Sequence, residues 1–420
     1  MDLKSLLNLI DERKDELFAL LSSFIKIDSE SQGKNGGKEE ALAKTVYAYC
    51  KDIGLDADLY SPLSIEGFCE HPDYIQGYNL DNRYNVTARL RGKEDADVLM
   101  LMGHSDTVSV GDIANWSFDP LCGEIKDGKI LGRGANDDKF ALALSLFLLK
   151  LMKKEGFVPK SNILFTAYCD EEYGGSHGAL AAVLKYPCKH ILNIDGMDGE
   201  IWHCGTGGQD VEYTFRAVDS VQSAELCGRA VPAVLDTLEE FTSARKKELN
   251  ENRFYHGTAV AEHPMRYREI RVGNNGSDLG VGKIAFEFFT DKTEKEIYAE
   301  LDGIAKLLKD KLAPLGIEGC GFKPLCRFFH YIHCEPDSPI VTDVAKAYEQ
   351  VTGKAPKICG ACLSDASVIS KYGTSSLVTF GIAKGFGDEG GPHQNNEYVD
   401  CDKLVELTKI IASYIFNTLG

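Results

Sequence analysis

Residues 98–103 read Val-Leu-Met-Leu-Met-Gly, an apolar run without polar alternation, and His104 follows at once. A run this short and uniform suits a strand buried on both faces, the setting of a parallel strand covered by helices. Such a strand delivers the residue after it to the carboxyl edge of its sheet, where ligands gather in open α/β folds. The pattern recurs. Asn162–Cys169 is an apolar strand running into Asp170, Glu171 and Glu172, and His190–Ile194 ends at Asp195. Glu39–Ile53, Phe140–Lys154 and Gly178–Lys185 read as helices around these strands. Strands alternating with helices predict a doubly wound α/β domain with a mixed, mostly parallel sheet.

From about Gly208 the character changes. Val211–Ala217 alternates as an antiparallel strand does, Val231–Arg245 is helical, and Ile284–Thr290 followed by Lys295–Leu312 repeats the strand-then-helix order. This predicts an inserted α+β, ferredoxin-like domain. From Ile332 the earlier style returns, with a helix over Pro339–Thr352, a short helix after Asp365, a strand at Ser376–Phe380 and a last helix over Asp402–Leu419. The 420 residues exceed one ordinary core. The expected division is a catalytic domain in two parts, 1–207 and 332–420, with 208–331 inserted between them.

The N-terminus places Leu3, Leu6, Leu7 and Ile10, then Phe18, Leu21, Phe24 and Ile25, on helical spacing with charges between. It reads as an amphipathic helix packed on the core, without the unbroken apolar stretch of a signal peptide or membrane span. Acidic residues outnumber basic ones by 64 to 46, a net charge of −18, which argues against nucleic acid or an anionic membrane surface as a partner. The 13 cysteines are odd in number and lack framework spacing, so a reducing cytoplasm is expected. Cys359-Gly-Ala-Cys362 has no second pair at zinc-ribbon spacing and reads as a structural thiol pair.

The chemistry concentrates at predicted strand ends and loops: His104 and Asp106, Asp137, Glu171 and Glu172, Asp195, and His393. Any one of these is ordinary alone, since a surface Asp or a satisfied His is far commoner than a ligand. Together they supply the imidazole nitrogens and carboxylate oxygens that zinc, manganese or cobalt accept, including a carboxylate to bridge two ions. On an extended segment, residues two apart face the same side, so Asp106 is expected to accept the second N–H of His104. Gly132–Lys139 is glycine-rich before a helix but lacks the Gly-Lys-Ser/Thr ending of a phosphate loop, and its adjacent acids suit metal better. Neighbours at a strand end point in opposite directions, so one of Glu171 and Glu172 can bind metal while the other serves as base.

The series GHSDTV, GRGANDDK, DEEYGG, NIDG and PHQNNEYV, spread from Gly103 to Val399, resembles the motif series of the M20 metallopeptidases. The resemblance implies two divalent metal ions, zinc first, with His104 and Asp195 on one, Glu172 and His393 on the other, and Asp137 as the bridge. It implies Asp106 as the orienting acid, Glu171 as the general base, and a cis peptide bond after Asp137. It further implies that 208–331 forms a lid through which the chain makes homodimers.

The expected activity is hydrolysis of a peptide or N-acyl amide bond in a small substrate, most simply a dipeptide. An N-acyl-amino-acid deacylase is the alternative, and an inactive peptide-binding member or a nucleotide-binding α/β enzyme stands behind both. The sequence departs from the family twice. The stretch Asp219–Ala224 has no histidine where many members carry one for the oxyanion, and Ala366-Ser367-Val368 replaces the region of a carboxylate-holding arginine. His256 and His263, and Arg271 and Arg327, are the remaining candidates for those tasks; the histidines read by default as surface or structural residues and the arginines as solvated surface residues.

Overall fold

The structure, a computed structural model, describes residues 2–218, 223–274 and 280–420. The chain divides into two compact units: Met1–His203 with His333–Cys359 and Val368–Gly420, and Cys204–Ile332 with Gly360–Ser367. Sequence alone put 360–367 with the catalytic part. It lies with the second unit because the Ala361 carbonyl accepts from Thr206 N–H at 3.2 Å and Tyr255 O–H at 2.7 Å, and Ser367 Oγ accepts from His330 N–H at 2.6 Å.

The first unit is built on a sheet whose strands include β1 (Asp56–Tyr60), β2 (Asn85–Leu90), β3 (Glu94–His104), β4 (Ser161–Tyr168), β5 (His190–Asn193) and β6 (Leu377–Phe380). Their spatial order is β1-β2-β4-β3-β5-β6. β3 is central and pairs in parallel with β4 and β5, β6 adds in parallel to β5, and β1 and β2 run antiparallel at one edge. The mixed, mostly parallel sheet is the expected one, although the two antiparallel strands escaped the sequence reading.

Helix α1 (Lys139–Lys154) buries 13 of its 16 residues, as a helix apolar on nearly every face must. Leu142, Leu144, Phe147 and Leu151 are fully or almost fully inaccessible, and each large-to-small change there costs about 2–5 kcal/mol. The N-terminal segment forms two helices, Leu3–Glu12 and Lys14–Ile25, where one was expected. Arg13 leaves helical geometry at φ −115°, ψ 14° while its N–H still closes the first helix on Leu9.

In the second unit, Met265–Gly273, Val281–Thr290, Gly207–Ala217 and Ile317–Pro324 lie side by side in that order, all antiparallel. Helices Ser223–Glu251 and Glu294–Leu312 bury Val234, Leu238, Ile297 and Leu308 in one core with Tyr213, Phe286 and Phe288. Strand-helix-strand-strand-helix-strand is the ferredoxin-like order. Among the described residues no helix is long and apolar enough to cross a membrane.

Candidate active site

Parallel pairing brings three strand ends to one edge. His104 stands opposite Tyr168 and Met102 opposite Asn193, so His104, the Asp170–Glu172 turn and Asp195 emerge side by side. The start of α1 approaches β3 closely: a Cβ on Gly103 would lie 2.8 Å from Asp138 Oδ2 and 2.7 Å from the Ala141 side chain. Glycine at 103 is what lets the Asp137–Asp138 pair reach the strand end. The peptide bond between those two residues is cis.

The side chains converge. His104 Nε2 lies 2.8 Å from Asp137 Oδ1, His393 Nε2 lies 3.3 Å from Asp137 Oδ2, and His393 Nε2 lies 2.8 Å from Glu172 Oε2. Donor atoms of His104, Asp137 and Glu172 fall within 4.8 Å of one another, as do those of His104, Asp138 and Asp195. The last trio contains a residue that sequence reasoning passed over. Asp138 is completely buried, its Oδ2 accepts the His104 backbone N–H at 3.2 Å, and its Oδ1 has no hydrogen-bond partner. Its one sequence signal was its place beside Asp137 at a helix start.

Asp106 does something other than expected. His104 Nδ1 meets the Asp106 backbone carbonyl at 3.0 Å, nearer than the carboxylate at 3.7 Å. The carboxylate instead accepts the backbone N–H of Glu171, at 3.1 and 3.0 Å, and of Glu172, at 3.2 Å. Glu172 Oε1 accepts the Val108 N–H at 2.8 Å, which leaves Oε2 toward His393.

The turn itself is tight. Asp170 has φ +66°, Ser176 N–H donates to the Asp170 carbonyl at 2.7 Å, and a Cβ on Gly175 would meet Asp170 Oδ2 at 2.0 Å. Only glycine allows that approach. The Asp137 loop is held from elsewhere: buried Glu397 accepts the N–H of Asn136 at 2.8 Å and of Asp137 at 3.2 Å through Oε1, and pairs with Arg133 through Oε2 at 2.5 Å. Arg133 and Glu397 both lie within motifs quoted from the sequence, but their pairing carried no signal there, because 264 residues separate them.

Electrostatics follow burial and the crowding of acids. Burial, then repulsion by Asp195, pushes the Asp138 carboxyl well above the usual carboxylate range. Burial opposes charge on His393, but the Asp137 and Glu172 carboxylates outweigh it and hold the imidazole up at about 10. Glu397 rises to about 7 through burial against the attraction of Arg133. A buried cluster rich in acid demands a compensating cation. The orphaned Asp138 oxygen and the two trios of nitrogen and oxygen donors fit two divalent ions.

The model for peptidase family M20/M25/M40 matches residues 100–417. The chain belongs to that family. This M20 protein is therefore a metal-dependent peptidase or amidohydrolase. It is 34% identical to an uncharacterized metallohydrolase of Methanocaldococcus jannaschii over 418 residues, 94% of this chain and 98% of the other. It is 23% identical to the N-formyl-4-amino-5-aminomethyl-2-methylpyrimidine deformylase of Bacillus subtilis over 448 residues, 98% of this chain and 97% of that one. Its fold matches the dipeptidase Dug1p of Saccharomyces cerevisiae with a TM-score of 0.71 at 16% identity, covering 99% and 98% of the two chains.

The remaining candidates lie in the second unit. His256 and His263 are exposed, with His256 Nδ1 2.8 Å from the Asn250 carbonyl. Arg271 is exposed, but Arg327 is only 5% exposed and is no surface residue. Of the stretch without the usual histidine, Asp219–Gln222 lies outside the described residues.

Proposed function

We propose that this enzyme hydrolyses the peptide or N-acyl amide bond of a small substrate, as a dipeptidase or related exopeptidase, with Glu171 as general base. One observation supports the reading above all: the two oxygens of Asp137 address imidazoles from distant parts of the chain, His104 and His393. In this assignment His104 and Asp195 hold one ion with Asp138 beside them, Glu172 and His393 hold the other, and Asp137 bridges. Zinc is the proposed metal, with manganese or cobalt as alternatives; such ions supply Lewis acidity to the scissile carbonyl.

The chain's own work falls to Glu171. Glu172 is committed to His393 and Val108, whereas Glu171, half-buried beside it on the same turn, donates its backbone N–H to Asp106. Its carboxylate takes the proton of the attacking water and, once protonated, passes it to the leaving nitrogen. Glu171→Gln is expected to keep two equivalents of metal and lose about 1000-fold in kcat. Normal turnover in that variant would remove Glu171 from the role.

N-acyl deacylation is the second reading, favoured by the likeness along nearly the whole chain to a deformylase. Unblocked dipeptides against N-formyl, N-acetyl and N-succinyl amino acids separate the two. Binding of metal and peptide without cleavage of any member would favour an inactive homologue. We further assign 208–331 as a lid and homodimer domain, tested by sedimentation of the chain with and without it. Residence in a reducing cytoplasm is supported by 13 cysteines, none of which is in a disulfide.

A further inference from the structure

Beneath the Glu171 turn lies a charged cluster that the reaction does not touch. Arg83 is completely buried, as are Glu39, Asp170 and His177. The guanidinium uses every edge: Nε and Nη2 donate to Glu39 Oε1 at 2.7 and 2.5 Å, Nη2 donates to Ser31 Oγ at 2.8 Å, and Nη1 donates to Asp170 Oδ1 at 2.6 Å and the Gly33 carbonyl at 3.3 Å. The other oxygen of Asp170 is also taken, by His177 Nδ1 at 2.5 Å. Ile75 N–H donates to His177 Nε2 at 3.2 Å, which fixes the tautomer with the proton on Nδ1.

We propose that Arg83 is a positioning residue for hydrolysis, acting through Asp170 to hold Glu171 in place for proton transfer. The inference rests on Glu171 being the base. Asp170 is the residue immediately before it and sits at φ +66°, a left-handed conformation that non-glycine residues adopt sparingly. That conformation turns the chain so that the next two N–H groups both reach Asp106. Pinning both Asp170 oxygens, one by Arg83 and one by His177, holds the turn.

The residue type is specific to the task. A planar fork serves Glu39 on one edge and Asp170 on another at the same time, which a lysine ammonium on a flexible stem cannot do. A buried ionic group is a weak source of stability compared with a well-packed apolar one. Its use here is geometric: it ties the base turn to the Ser31–Glu39 segment.

The test uses the metal-loaded full chain carrying Arg83→Lys, Arg83→Met, His177→Leu or His177→Asn. Three quantities are read: kcat and KM on the best-cleaved dipeptide or N-acyl amino acid, metal per chain, and hydrogen exchange across residues 170–176. Arg83→Met is expected to lower kcat about 100-fold with KM and metal content unchanged, and to speed exchange in the turn but not in β3 or β4. Arg83→Lys falls between it and wild type. His177→Leu loses roughly tenfold in kcat, and His177→Asn, whose side-chain N–H occupies the Nδ1 position, recovers most of that.

Wild-type kcat and wild-type exchange in Arg83→Met overturn the proposal. If that variant does not fold, the same result in both Arg83→Lys and His177→Leu overturns it, as does a loss confined to thermal stability. The exchange measurement decides the matter even without a cleaved substrate. If Glu171→Gln still turns over, the base assignment has failed; if it is inactive while the Arg83 and His177 variants are normal, only the positioning role has failed.

Discussion

The turn that carries Glu171 and the loop that carries Asp137 are held by opposite means. On the base side a buried cation, Arg83, grips the side chain of Asp170 and ties the turn to the N-terminal segment. On the bridge side a buried anion, Glu397, accepts two backbone N–H groups of the loop and is balanced by Arg133. Glu397 follows His393 by four residues, so one stretch of chain both supplies an imidazole to the cluster and fixes the carboxylate next to it. The contrast teaches that the turn carrying Glu171 and Glu172 and the loop carrying the bridging Asp137 are supported by separate networks and can be damaged separately.

After loss of the base itself, the largest expected effect that sharpens this contrast is Glu397→Gln. It leaves the Asn136 and Asp137 N–H groups with a weaker acceptor and Arg133 without its carboxylate, so metal affinity falls about 10–100-fold, measured by calorimetric titration of the apo chain. Excess metal restores activity. The same weakening in Arg83→Met would break the contrast.

Asp106→Asn comes next. Its carboxylate meets the base turn, so kcat is expected to fall roughly tenfold with metal affinity unchanged. Weakened metal binding would show instead that the carboxylate acts through the metal ligands Glu172 or His104.

The smallest effect belongs to a partly exposed counterpart, Arg89 with Asp97, paired at 2.7 Å. The Arg89 hydrogen bond holds the Asp97 carboxyl below its ordinary value of 3.8. A lowered folded value means stability that is present above the unfolded pKa and lost as pH falls through the folded one. Asp97→Asn should therefore lower stability by at most about 1 kcal/mol at neutral pH and nothing in strong acid, read from urea unfolding at both.

These two networks also mark where the sequence stops being legible. The β3 and β5 strands, α1 and the helix Pro339–Thr352 were readable because hydrophobic period is a local signal, and the ligand candidates stood out because strand ends announce themselves. Arg83 to Glu39 spans 44 residues, Arg83 to Asp170 spans 87, and Glu397 to Arg133 spans 264. No period links such pairs. β2 was missed because Asn85 and Thr87 interrupt its apolar pattern, yet both are buried: Asn85 donates to the Gly178 carbonyl, and Thr87 pairs with Thr166. At Asp106 the spacing argument singles out the carboxylate, whereas the imidazole meets the backbone carbonyl of the same residue more closely.

His393 and Glu397 follow every other group of the site in chain order, with a consequence for synthesis. A nascent chain can lay down β3, β4 and β5 and bring His104, Asp137, Glu172 and Asp195 to one edge long before His393 and Glu397 are joined. Until then the Asp137 loop has no Glu397 to accept its N–H groups, and the second imidazole does not yet exist. On the proposed assignment, the second metal position can close only once His393 has been added, and the helix that follows it, Cys401–Leu419, packs on the core.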